Sequence, residues 1–186
     1  FVNEGVLSAD QYGAFMASLN SVSYQMSRDF GGMSKDEFLA KYGHLRPGTY
    51  DILSPRYDEA PDRYFDWAKK QPHPMQERQF RLDADTTRRL QVLLDVHGVV
   101  HDVSSIFDFI RGAIEGREYA KFVFTRNLSD VLQLIGQLGG RMGFSHEDLS
   151  YVDIQAVRSL YATSFSATDI FRTSIEQGRH RYAIAQ

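Results

Sequence analysis

The sequence predicts an all-α fold: an irregular multi-helix bundle with one long helix, or two in its place, and an ordered Pro/Gly loop in the N-terminal third. Three observations predict it. Apolar residues recur at three- and four-residue spacing along most of the 186 residues, which is the period of a buried helix face. Helix-start signatures, a Ser followed three residues later by Gln, Glu or Asp, recur at Ser8, Ser34, Ser145 and Ser166. Sustained strand alternation is absent, and there is no internal repeat of solenoid length.

Each element follows in order. Ser8 and Gln11 form a capping box, and Tyr12, Phe15, Met16, Leu19, Val22 and Met26 continue one helix to Gly31-Gly32. Ser34 and Glu37 open a short helix through Phe38, Leu39 and Tyr42 to Gly43. Residues 43–61 differ in kind. Pro47, Gly48 and Pro55 forbid a continuous helix, and the residue before each Pro is driven to extended geometry. Pro61 suits the first turn of a helix through Tyr64, Phe65, Trp67 and Ala68, and residues 71–76, with Pro72 and Pro74, form a second loop. Leu90, Leu93, Leu94 and His97 share one side of a helix from about Asp85 to His97, with Gly98 as its cap. Ile106, Phe107, Ile110, Ile114, Val131, Leu132, Ile135 and Leu138 mark a helical stretch from about Ser104 to Met142, either unbroken or joined near Gly112 to Gly116. Gly139-Gly140 and Gly143 end it. Ser145 and Asp148 start a short turn, Asp153 caps a helix to about Thr163, and Ser166 with Asp169 opens the last helix. Helices joined by short connections are expected to pack antiparallel.

Composition narrows the function classes. Hydrophobic residues at 42% and charged residues at 24% are those of a folded chain, not a disordered one. A net charge of −3 argues against a general nucleic-acid-binding surface. The absence of cysteine removes disulfides, Cys-ligated zinc, iron–sulfur clusters and thiol catalysis. No apolar run approaches the roughly 18–20 residues of a membrane span, so neither membrane nor nucleic acid is an expected partner, and a cytoplasmic location is expected. Residues 1–186 read as a single helical domain, and the start at Phe1 without Met leads to the expectation of a fragment of a larger multidomain protein.

The loop at 43–61 is the most unusual feature. It gathers His44, Arg46, Asp51, Arg56, Asp58 and Glu59. Two guanidinium groups and an imidazole are suited to holding a phosphate or carboxylate, with Asp51 to orient them. The plainer reading is a structural loop fixed by Arg–Asp pairs, and it weighs more heavily on residue types alone. His97 and His101 would share a face only on an unbroken helix, which Gly98 and Val99-Val100 make doubtful, and no third ligand is specified. Gly136, Gly139, Gly140 and Gly143 lack the Lys-Ser/Thr and the preceding strand of a phosphate loop, so they read as helix termination and close packing. Arg117, Glu118, Lys121 and Arg126 read as a solvated helix face, and Phe80, Phe107, Phe109, Phe122 and Phe124 as core. No catalytic triad and no acid/base pair is defined by spacing.

Three segments together resemble one family. The run Phe38-Leu39-Ala40-Lys41-Tyr42-Gly43-His44-Leu45-Arg46-Pro47-Gly48-Thr49-Tyr50-Asp51, continued by Ser54-Pro55-Arg56-Tyr57-Asp58-Glu59, is similar to a motif of phosphoenolpyruvate synthase-like phosphotransferases, the group that includes rifampicin phosphotransferase. Thr49 stands where that family commonly has an acid, and Tyr57 replaces Trp. Arg117-Glu118 with Arg126, and Leu138-Gly139 followed by Gly143 to Val152, match two further segments in order and spacing, so the resemblance covers roughly positions 34–160.

The resemblance implies a helical central region, acceptor-binding or linking, set between an ATP-grasp-type domain and a swivelling phosphohistidine domain of the same chain. ATP and Mg²⁺ are then expected in the parent protein, a kinase- or dikinase-like transferase, with no cofactor, no metal and no catalytic residue in this piece. His44, Arg46, Asp51 and Arg56 are the expected contacts to a small-molecule acceptor or to the swivelling domain. His146 is no phosphocarrier: it lies six positions after Gly140, where the family's motif has four, and Glu147 and Asp148 beside it oppose a phosphate dianion. The alternative is a non-enzymatic all-α structural or interaction module.

Overall fold

The computed structural model describes residues 2–71, 80–161 and 166–185, and among them every regular element is a helix. In chain order these are α1 (Ala9–Ala17), α2 (Val22–Gly32), α3 (Lys35–Tyr42), α4 (Pro61–Tyr64), a 3₁₀ turn (Trp67–Lys69), α5 (Ala84–Val96), α6 (Val103–Arg141), α7 (His146–Leu149), α8 (Ile154–Ser159) and α9 (Ala167–Ala185). The stretch from Ser104 to Met142 is one helix of 39 residues. The expected loop around Pro72 and Pro74 lies outside the described residues. The helix expected to run from Asp153 to about Thr163 ends earlier, at Ser159, with Leu160 as its C-cap.

Chain contacts divide the helices into two compact units. The first takes Phe1–Phe38 and Asp66–Val123, and the second takes Leu39–Phe65 and Phe124–Gln186.

In the first unit, Ser8 and Gln11 form the expected reciprocal box at the start of α1. The single helix expected from Ser8 to Gly32 is two. Ser18 ends α1, and Ser21 restarts the chain as the N-cap of α2, accepting from the Tyr24 amide at 3.2 Å. The break is held from far along the sequence. The Asn20 amide donates to Glu115 at 2.8 Å, the Val22 amide to Glu118 at 3.3 Å, and Arg111 donates to the Ser18 carbonyl at 3.1 Å. Asp83 caps α5 through the Thr86 amide and also accepts from the Gln11 side chain at 2.9 Å. Val6, Leu7, Phe15, Leu19, Leu90, Val103 and Phe107 form the core. Phe15 meets Phe80 and Phe107 edge-on at centroid distances of 5.1 and 5.3 Å, the arrangement aromatic quadrupoles favour. Phe30, Phe38 and Trp67 form a second aromatic group with Lys35 over the indole.

Two of the five phenylalanines expected in the core lie elsewhere. Phe109 is 73% exposed and Phe124 57% exposed, each on the outer side of α6, whereas Phe107 is buried.

The second unit packs α9 against α8 and the 144–153 segment. Phe171 is fully buried with Ile135 and Leu149, and Phe144 stacks on it at 6.3 Å. Close backbone approach explains two glycines here. A Cβ at Gly178 would collide with the Tyr151 carbonyl, and one at Gly139 would come within 2.6 Å of Leu149 Cδ1. Ser145 and Asp148 form a capping box for α7, and Asp148 also pairs with Arg179 of α9.

Candidate functional site

Residues 43–60, in the second unit, fold into an ordered loop with little regular structure of its own. Its base is closed by main-chain bonds: the Tyr57 amide donates to the Leu45 carbonyl at 2.9 Å, and the Asp58 amide to the Gly43 carbonyl at 3.1 Å. Gly43 is required at this closure, because a Cβ there would lie 2.8 Å from Asp58 Cβ and collide with the Leu39 carbonyl. The tip is a series of tight turns. Ser54 Oγ accepts from the Gly48 amide, the Gly48 carbonyl from the Asp51 amide, and Asp51 Oδ1 from the Leu53 amide at 2.8 Å.

The two expected arginines hold this loop from inside. Arg46 is 8% exposed and uses all three guanidinium nitrogens on protein acceptors. Nε and Nη2 donate to Ser129 Oγ, each at 3.2 Å, and Nη1 donates to the carbonyls of Ser54 at 2.9 Å and Asp51 at 3.3 Å. Burial lowers the Arg46 pKa, and Glu59 offsets part of that. Arg56 grips Asp58 bidentately at 2.9 and 2.7 Å and reaches Asp130 at 2.7 Å and Gln133 at 3.2 Å on α6. Burial pulls its pKa down, but the hydrogen bonds to Asp58 and Asp130 outweigh that and the net shift is upward. Glu59 completes the frame, accepting from the Arg56 amide and the Gln133 side chain.

The structure therefore brings Arg46, Asp51 and Arg56 into one loop, with His44 buried at its base. The N–H groups expected to hold an anion are turned to protein acceptors instead. Around the two arginines stand four carboxylates, Asp51, Asp58, Glu59 and Asp130, so the local charge is negative and favours a cation over a phosphate. Asp51 differs from the others. It alone of the four lines a cavity in this unit.

Ser129, Asp130 and Gln133 went unread in the sequence. They lie 74 to 83 residues beyond the loop arginines they serve. Their trace was a set of polar residues spaced i, i+1, i+4 beside the apolar face of α6, and Ser129 is only 2% exposed.

His97 and His101 are not on one helix. His97 ends α5, and Gly98 follows in the left-handed region at φ +69°, which only glycine adopts without strain. Among the described residues no group of three His, Asp or Glu could hold a metal ion, and no described helix is long and apolar enough to cross a membrane. Of the α6 charges, Glu118 and Arg126 bond the Val22 amide and the Lys41 carbonyl, while Arg117 and Lys121 face solvent. A ligand-sized space lies in the first unit: a cavity of about 610 Å³ walled by Leu7, Tyr12, Phe15, Met16, Phe107 and Ile110, with no charged residue in its lining. Protein-family models, characterised proteins and solved structures return no match to the chain.

Proposed function

We propose that this chain is the helical acceptor-binding or linker domain of a phosphoenolpyruvate synthase-like, ATP-dependent phosphotransferase, inactive without its neighbours. One observation carries the reading. Several residues of the run that resembles the family's motif, Gly43, Arg46, Gly48, Asp51, Ser54 and Arg56, take part in closing the loop or fastening it to α6. The uncharged, aromatic-walled cavity of the first unit has the size of a small-molecule site and is the place for an apolar acceptor. The ATP-binding and phosphohistidine domains would be partners within the same chain, bringing ATP and Mg²⁺.

The test is made on the parent protein. Incubated with ATP and Mg²⁺, it should form an acid-labile phosphohistidine. Tyr12→Ala, at an exposed residue of the cavity wall, should leave that step intact and lower acceptor-dependent turnover at least tenfold. A reading frame with no ATP-binding segment upstream, or a parent that forms no phosphohistidine, would sink the proposal.

A second reading, a non-enzymatic structural or interaction module, is favoured by the inward use of the arginines. It wins if Arg46→Ala and Arg56→Ala lower the melting temperature while every activity of the refolded parent stays at its wild-type value.

A further inference from the structure

We infer that the loop tip and the α6–α8 region of the second unit form a binding site for a compact apolar amine. The cavity measures about 210 Å³. An apolar cavity of about 150 Å³ is known to take benzene, so this one suits a single ring with a short substituent. Its walls are largely aliphatic, with Ile52 from the loop, Leu132 and Ile135 from α6, Val152 before α8 and Val157 within it, and Tyr50 and Ser150 add polar edges. One charged residue lines it, Asp51.

That carboxylate is already set in place. Oδ1 accepts from the Leu53 amide at 2.8 Å, and the Asp51 carbonyl accepts from the buried Arg46 guanidinium. Oδ2 accepts no hydrogen bond among the described residues. Arg46 spends its donors on carbonyls and Ser129, so it does not neutralise the carboxylate by direct pairing. Asp58, Glu59 and Asp130 add to the negative field around the loop. A largely aliphatic pocket with one preorganised carboxylate at its edge therefore selects a small apolar body ending in an ammonium group and rejects one ending in a carboxylate. The site stands on the cavity and Asp51, whether or not the parent transfers phosphoryl groups.

The experiment titrates the 186-residue chain with benzylamine, benzyl alcohol and phenylacetate by isothermal calorimetry at pH 7. Benzylamine should bind with a dissociation constant on the order of 1 mM or below, as an eight-atom ligand can. Benzyl alcohol should bind about tenfold more weakly, and phenylacetate should not bind, because only the ammonium gains a charge-assisted bond. Asp51→Asn keeps the acceptor for the Leu53 amide and should cost benzylamine about tenfold while leaving benzyl alcohol unchanged. Val157→Phe should fill the chamber and abolish both. Circular dichroism and melting confirm that each variant is folded; should Val157→Phe fail to fold, Val152→Leu replaces it. No saturable binding by the wild-type chain, equal binding of all three probes, or benzylamine affinity unmoved by Asp51→Asn would each overturn the inference.

Discussion

Arg46 and Arg56 sit ten residues apart and do different work. Arg46 satisfies the carbonyls of Asp51 and Ser54 and the buried hydroxyl of Ser129. Arg46→Ala strands those acceptors and should cost about 2–4 kcal/mol, from the usual penalty for buried polar groups left unmade. Arg46→Lys should recover less than half of that, because a point charge cannot reproduce three directed donors. Arg56 pairs with Asp58 and Asp130, whose side chains are 36% and 50% exposed, so Arg56→Ala should cost only about 1 kcal/mol. Urea denaturation followed by tyrosine and tryptophan fluorescence reads the order, and an Arg56 variant weaker than the Arg46 variant would contradict it. Gly43→Ala tests the loop base separately. Overpacking against Asp58 should cost about 1–3 kcal/mol.

Helix starts and helix interiors make further predictions at the scale of the element. Glu37, Asp83, Asp102 and Asp148 each accept a backbone amide hydrogen bond, from residues 34, 86, 105 and 145, and this holds their carboxyls below the ordinary 4.5 for Glu and 3.8 for Asp. With folded pKa values depressed, their stabilisation is complete above the ordinary range and is lost as pH falls through the lower folded values. The melting temperature should hold from pH 7 to about 5 and drop below about pH 4. The double variant Asp83→Asn, Asp102→Asn should show a shallower acid drop. Within α6, Gly112 and Gly116 have open space where a Cβ would stand, so Gly112→Ala and Gly116→Ala should each raise stability by about 0.5–1 kcal/mol. Gly139→Ala should do the reverse, since Leu149 fills that space. Local chemistry made the caps legible: Ser8–Gln11, Ser34–Glu37 and Ser145–Asp148 each close within four residues. The break at 18–21 was not legible. The apolar spacing runs straight through it, and the groups that hold it open, Arg111, Glu115 and Glu118, are some 95 residues away. Phe109 and Phe124 were misplaced for a related reason: a helical period shows that residues share a face, not that the face is covered.

At the scale of the whole molecule, the chain order of the two units matters more than their size. The first unit is interrupted by residues 39–65, which belong to the second. Neither unit is a contiguous segment, so truncation cannot release one intact. Removing residues 124–186 should leave 43–60 without Ser129, Asp130 and Gln133. Hydrogen exchange should then show the Tyr57 and Asp58 amides losing protection, while α1 and α5 keep theirs; unchanged protection in the loop would mean it holds itself. The all-helical architecture was legible from periodicity and capping. The loop's closure on α6 was not, because hydrogen bonds between polar groups leave no period in a sequence.

The separation of Arg46 from Ser129 also sets a clock. Translation adds about 5–20 residues per second, so Arg46 is made about 4–17 s before the hydroxyl that receives it. Through that interval a charged motif destined for the interior must stay hydrated on the nascent chain. Its prolines at 47 and 55, stiff and poor at pairing with neighbouring strands, are well placed to keep it from settling into the wrong partner.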